Sequence, residues 1–418
     1  MMREAKSSGI AWIGTIPKCW ETDKLKYHLR RNEPRNPGDV VVLSLYRELG
    51  VIPKDSRDDN HNVTSEDTSK YKYVRPGDFV INKMKAWQGS VAVSEYEGIV
   101  SPAYFVYKFT DDTIFKRYFH YLLRSCYKDE FMRLSGGIRV GQWDLPADAL
   151  ENTPILIPPM DEQCRIADFL DAKCAEIDAL TADIQSQIDT LEQYKRSVIT
   201  ETVTKGLKPD AEMKDSGIRW IGDMPAHWDV IRGKYILRYM QKPVREDDGV
   251  ITCFRDGEVT LRSNRREDGF TMSDKEIGYQ GIDVGDLVVH GMDGFAGSIG
   301  ISDSRGKASP VLNVLDTDQC KRYIMYYLRS MAYSDVFLAL ATGIRVRSCD
   351  LRWNKLAELS YPVPPLDEQN AIVKHIDSVL SKADAVIADK KAQLATLDEY
   401  KKSLIFEYVT GKKEVPAS

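Results

Sequence analysis

The chain has 418 residues, 43% hydrophobic and 29% charged, with a net charge of −5; this length exceeds one ordinary core and suits two or more domains, each able to bury roughly 68–70% of its unfolded surface. No apolar run approaches the ~20 residues of a bilayer span, and the opening Met1-Met2-Arg3-Glu4-Ala5-Lys6 leads into no apolar stretch of export type, so a cytoplasmic location is expected. Seven scattered cysteines without a CxxC pair and six isolated histidines predict neither a disulfide framework nor a metal site.

In chain order the first distinctive element is SGIAWIGTIPKCW at 8–20. Short runs rich in Val, Ile, Tyr and Phe follow at Val40–Leu43, Phe79–Ile81 and Tyr104–Tyr107, separated by Gly, Pro, Asn and Asp, and read as strands. Phe115 to Arg124 reads as an amphipathic helix. Pro158-Pro159 then closes a strand and opens a long helix, with Asp161 as its cap, Glu162 at its positive end, and Gly206 and Pro209 at its stop. Leu170, Ile177, Ile184, Leu191 and Val198 recur at heptad spacing along it, with Cys174, Leu180, Ile188 and Tyr194 alongside. Lys205 to Ser216 is a polar linker carrying Gly and Pro.

The chain then repeats itself. SGIRWIGDMPAHW at 216–228 restates 8–20, so Trp12, Gly14, Pro17 and Trp20 match Trp220, Gly222, Pro225 and Trp228. Gly77-Asp78 meets Gly285-Asp286, Gly89-Ser90 meets Gly297-Ser298, and Gly137-Ile138-Arg139 meets Gly343-Ile344-Arg345. Leu287–Val289 repeats a strand and Tyr323 to Ser330 a helix. PPMDEQ at 158–163 returns as PPLDEQ at 364–369, and LEQYKRSVI at 191–199 as LDEYKKSLI at 397–405. A repeat of this length defines the architecture. The second helix carries Ile376, Ala383, Leu397 and Leu404, flanked by Leu380, Val386, Ile387, Leu394 and Tyr400, with Lys390 breaking the row.

The expected fold is α+β: two tandem α/β domains, 1–157 and 207–363, each followed by a long helix, 158–206 and 364–411, with a tail at 412–418. Each helical stripe needs a partner, and the economical one is the other helix of the same chain in an antiparallel, pseudo-twofold coiled coil. Its pairing residues are Leu170, Ile177, Ile184, Leu191, Ile376, Leu380, Ile387, Leu397 and Leu404. About 43 helical residues span roughly 65 Å, close to two turns of B-DNA at ~34 Å each, a ruler. Charge is distributed unevenly. Residues 158–206 carry 5 Lys/Arg against 10 Asp/Glu, whereas 1–157 carry 23 against 21 and 207–363 carry 22 against 23, so the globular segments permit a basic face.

The WIGxxPxxW opening, the PPxDEQ helix start and the (E/D)xYKxSxI helix end, each present twice, resemble the specificity subunits of type I restriction-modification systems, over nearly the whole chain. The resemblance implies two target recognition domains, each reading one half of a bipartite DNA site, with the paired helices fixing the gap. It implies two modification subunits, carrying S-adenosylmethionine, that dock on the helices and methylate adenine. It also implies restriction subunits using ATP and Mg. The chain itself holds no Asn-Pro-Pro-aromatic methyltransferase motif and no Walker A sequence, so it is read as a non-catalytic subunit without a cofactor of its own. Pro209 to Lys214 spells a compressed PD-ExK string, but in a linker; the glycines at 291, 294, 297 and 300 read as turn geometry rather than a phosphate loop, because only Gly89 persists in the first half. Two other readings stand beside this one: a coiled-coil interaction scaffold without DNA recognition, and a self-contained methyltransferase or nuclease.

The repeat separates two classes of DNA-facing residue. Side chains identical in both halves cannot tell half-sites apart; Arg47 and Arg255, with Arg139 and Arg345, therefore serve phosphate contact or structural salt bridges, and the Trp pairs serve the core. Matched positions of different chemistry are candidates for base edges, where Arg and Lys suit guanine and Asn and Gln suit adenine. Lys83, Lys85 and Gln88 face Gly291, Asp293 and Ala296; Gln142 faces Ser348, and Arg347 faces Gly141. Arg57, Asn60 and His61 lie in a polar loop, with Arg262, Asn264, Arg265 and Arg266 in its counterpart.

Overall fold

The computed structural model describes residues 3–38, 40–46, 49–56, 64–65, 67–137, 143–265, 277–340 and 351–416. They form two compact units, one of Met1–Ile184 with Ala392–Ser418 and the other of Gln185–Lys391. Each unit therefore joins one globular segment to half of each long helix.

In the first unit a four-stranded antiparallel sheet runs β1 (Leu29–Arg31), β4 (Tyr104–Phe109), β2 (Phe79–Asn82), β3 (Val91–Val93) across its width. All of β2 is buried because alternate side chains feed two cores. Phe79 and Ile81 join helix α1 (Lys116–Cys126), whereas Val80 packs on the opposite face with Leu43, Val51, Val74 and Val100. A sheet covered on both faces gives an uninterrupted apolar run rather than alternation. The strand expected at Val40–Leu43 instead spans Leu43–Tyr46, paired with Gly50–Pro53; the ladder ends at Leu43 opposite Pro53, and Val41 is exposed. The apolar run extends farther than the partner strand does.

Helix α2 spans Met160–Lys205. It starts one residue before the cap expected at Asp161, since the Pro159 carbonyl accepts the N–H groups of Glu162 and Gln163. Asp161 is exposed within the first turn. The second unit repeats the plan: β5 (Leu237–Met240), β8 (Leu312–Thr317), β6 (Leu287–His290) and β7 (Ile299–Ile301) lie in that order, followed by α3 (Lys321–Tyr333) and α4 (Leu366–Val409). Leu287 and Val289 share the α3 core, and Val288 the opposite one.

The helices pair within each unit. In the first, Leu170 and Ile177 of α2 share a core with Leu404, Tyr408 and half-buried Leu397 of α4, and Lys401 bonds Asp178 at 2.6 Å. In the second, Ile199 and Val203 share a core with Ile372, Ile376 and half-buried Leu380, and Lys195 meets Asp384 at 2.6 Å. The start of each helix thus lies with the end of the other, which makes the pair antiparallel. Ile184 and Ile387 are buried and Leu191 half-buried. The flanks expected through Leu180, Tyr194, Val386 and Tyr400 are corrected: these side chains are 47%, 52%, 45% and 54% exposed. Positions three and four residues on lie on opposite sides of a heptad row, and the partner selects the fourth, giving Cys174, Thr181, Ile188 and Lys195 on α2 and Leu380, Ile387, Leu394 and Lys401 on α4. Lys390, the break in the row, donates to Gln187 across the pair.

The duplicated motifs tie the helices to the sheets. Buried Gln163 accepts the Phe115 N–H at 2.7 Å and donates to the Thr113 and Pro158 carbonyls at 2.8 and 2.9 Å. Gln369 likewise accepts from Cys320 N–H and donates to the Pro364 carbonyl and to Gln319. Glu162 accepts the indole N–H of fully buried Trp20 at 2.9 Å and both Arg3 nitrogens at 2.5 and 2.8 Å. Tyr118 donates to the Val409 carbonyl and Tyr323 to the Val203 carbonyl, each at 3.0 Å, satisfying groups that helix ends leave open. Trp228 is fully buried as well, with Trp12 and Trp220 half-buried.

Candidate nucleic-acid interface

Beyond β2 the chain makes a 3-10 turn, Ala86–Gln88, capped by Gly89 at φ 87°. Beyond β6 it makes the same turn, Gly294–Ala296, capped by Gly297 at φ 95°. Left-handed backbone of this kind favours glycine, which explains why this glycine survives in both halves. Two other glycines of this stretch answer to packing: a Cβ on Gly300 would stand 1.9 Å from the Gly257 carbonyl oxygen, and one on Gly294 2.6 Å from a Leu351 methyl.

On this shared backbone the side chains diverge. Lys83 is held by Asp144 at 2.9 Å. Lys85 is exposed and, among the described residues, carries no ion pair. Gln88 is half-buried, and with Lys85 it lines a cleft of about 600 Å³ together with Lys54, Asn82, Trp87 and Tyr104. Burial raises the Tyr104 phenol above its ordinary range, so it stays neutral. Trp87 meets Trp143 edge-on at 5.6 Å. In the second unit Asp293 stands where Lys85 does, 3.1 Å from Arg255. The structure therefore brings Lys85 and Gln88 together at one cleft and assigns Lys83 a structural ion pair.

Arg255 is exposed at the tip between the strands Ile251–Cys253 and Val259–Leu261. Arg265 is bound to Asp256 at 2.6 Å and Glu258 at 3.0 Å and lies over the Phe254 ring. The sequence placed it among the candidate base contacts of this loop; in the structure its guanidinium bridges two acidic residues of the hairpin. Arg262 is half-buried beside Thr252, and Asn264 donates to Thr260 at 2.9 Å. Arg47, Arg57, Asn60, His61, Arg139, Gln142, Arg266, Arg345 and Arg347 lie outside the described residues. Lys54 and Trp87 escaped the sequence reading, because nothing in a strand-end lysine or a lone tryptophan signals that a cleft forms between distant segments. Among the described residues no group of three His, Cys, Asp or Glu side chains is placed to hold a metal ion, and no helix is long and apolar enough to cross a membrane. Asp210 and Glu212 of the PD-ExK-like string are an exposed and a loop-borne residue of the linker, on no shared strand.

Residues 28–190 match the family model described as the type I restriction modification DNA specificity domain. The chain is 24% identical to the putative type I restriction enzyme MjaX specificity subunit of Methanocaldococcus jannaschii, over 96% of both proteins. It is 23% identical to the MjaVIII specificity subunit of the same organism, over 96% of this chain and 94% of that one. A chain solved in work on complex assembly and conformational transition of the type I R-M system shares its fold, with a TM-score of 0.68 at 15% identity, covering 95% of this chain and 99% of that one. Residues 28–190 thus match the DNA specificity domain of type I restriction-modification systems, and over most of its length the chain is similar to their specificity subunits.

Proposed function

We propose that the chain reads a bipartite DNA site, one half through each unit, and brings modification subunits to it without performing the chemistry. The observation that carries this reading is the pair of equivalent turns on one backbone with opposite side-chain chemistry: a scaffold repeated for fold, with its outward residues free to differ, suits two different half-sites. Exposed apolar side chains on the helices support docking. Leu180 and Val386 are equivalent across the repeat, as are Tyr194 and Tyr400, and all four stand in solvent. Each unit thus carries one exposed aliphatic and one exposed tyrosine on its helix halves, which matches two copies of one partner. In this assembly S-adenosylmethionine belongs to the modification subunits, and ATP and Mg to restriction subunits.

The test is methylation mapping of DNA exposed to the chain reconstituted with its modification subunits. One bipartite adenine-methylation motif is expected. Absence of any sequence-dependent DNA retention would favour the interaction scaffold, and methyl transfer by the chain alone would favour a self-contained enzyme.

A further inference from the structure

We propose that the Asn82–Gly89 turn of the first unit selects purines, Lys85 donating to guanine O6 and N7 and Gln88 pairing with adenine N6 and N7, and that the matching turn of the second unit makes no base contact. The inference rests on the function proposed above and assigns it to particular atoms.

Both turns have the same frame. Each follows an inner strand of its sheet, ends on a left-handed glycine, and is held at its base by equivalent backbone bonds, among them Leu145 N–H to the Lys83 carbonyl at 3.0 Å and Leu351 N–H to the Gly291 carbonyl at 2.8 Å. The difference lies wholly in side chains. Of the two lysines in the first turn, Lys83 is withdrawn into its pair with Asp144, and Lys85 keeps its ammonium in solvent at the cleft mouth. Gln88 lines the same cleft. An ammonium donor suits the two guanine acceptors, and a side-chain amide matches the donor and acceptor of adenine. The second turn offers the reverse. Ala296 has no polar group, and the Asp293 carboxylate is engaged by Arg255; a carboxylate also opposes approach to a groove lined with phosphates. The half-site of the second unit is accordingly read by other residues.

The reconstituted complex tests this by methylation mapping and by binding at several salt concentrations. Lys85→Ala is expected to relax one guanine of the first half-site, and Gln88→Ala one adenine, each lowering discrimination roughly 5- to 150-fold. Lys85→Arg should keep guanine, since a guanidinium makes the same two bonds. Asp293→Asn should leave the second half-site unchanged. In each variant, the other half of the motif reports that the complex is intact. An unaltered motif with uniformly weaker binding and a shallower salt dependence would make Lys85 a phosphate contact and overturn the proposal, as would a changed second half-site in Asp293→Asn. If the unmodified chain gave no bipartite motif at all, the failure would lie with the proposed function rather than with this assignment.

Discussion

His120 of α1 has Arg124 3.1 Å from its Nε2. Desolvation, reinforced by that guanidinium, lowers its pKa from 6.5 to about 4. The folded state thus resists a proton that the unfolded chain takes up below pH 6.5. The stability this histidine contributes is complete above pH 6.5 and is lost as the pH falls toward about 4. Urea midpoints across that window should fall more steeply for the natural chain than for His120→Gln; parallel curves would refute the assignment. Gln163 makes a different kind of contribution. Gln163→Ala leaves the Phe115 N–H and the Thr113 and Pro158 carbonyls without their partner, a loss of about 1–3 kcal/mol for unsatisfied buried groups, measurable as a lower denaturation midpoint. Gln369→Ala should act alike, because it serves the same joint in the second unit.

At the scale of elements, the long helices were legible from heptad spacing and their proline starts, and the structure places Met160–Lys205 and Leu366–Val409 within a few residues of those limits. Their packed faces were legible only in part. Leu180 and Tyr194 satisfy an apolar row as well as Thr181 and Lys195 do, or better by composition; which row is covered depends on the partner helix. The proposed role makes helix length measurable in DNA. Removing one heptad from the middle of each helix preserves the pairing register and is expected to shorten the spacer of the methylated motif with both half-sites retained. A constant spacer would end the ruler reading.

For the molecule as a whole, the compact units do not follow the segments of the chain: each takes its sheet from one segment and its helix halves from both ends of the repeat. Trp20 and Gln163 fasten one joint, Trp228 and Gln369 the other. On the proposed function, exchanging residues 1–157 for the corresponding segment of a type I specificity subunit should therefore change one half-site and leave the other, provided the graft keeps Trp20 and its contact with Glu162. Methylation mapping of the chimera reads both halves at once. Altered bases in both halves would show that recognition is shared between the units.

The sequence alone determined the duplication, the mixed α+β class, the two helices and the family resemblance, because repeats, heptads and paired motifs are local patterns that survive without coordinates. It also ranked Lys83, Lys85 and Gln88 together, because all three differ in chemistry from their matched positions in the repeat. Tertiary structure divided them: Asp144, 61 residues downstream of Lys83, pairs with it, while Lys54 and Tyr104 close a cleft around the others. Which charge is spent on folding and which remains for a ligand depends on neighbours distant in the chain, and those neighbours are chosen by packing.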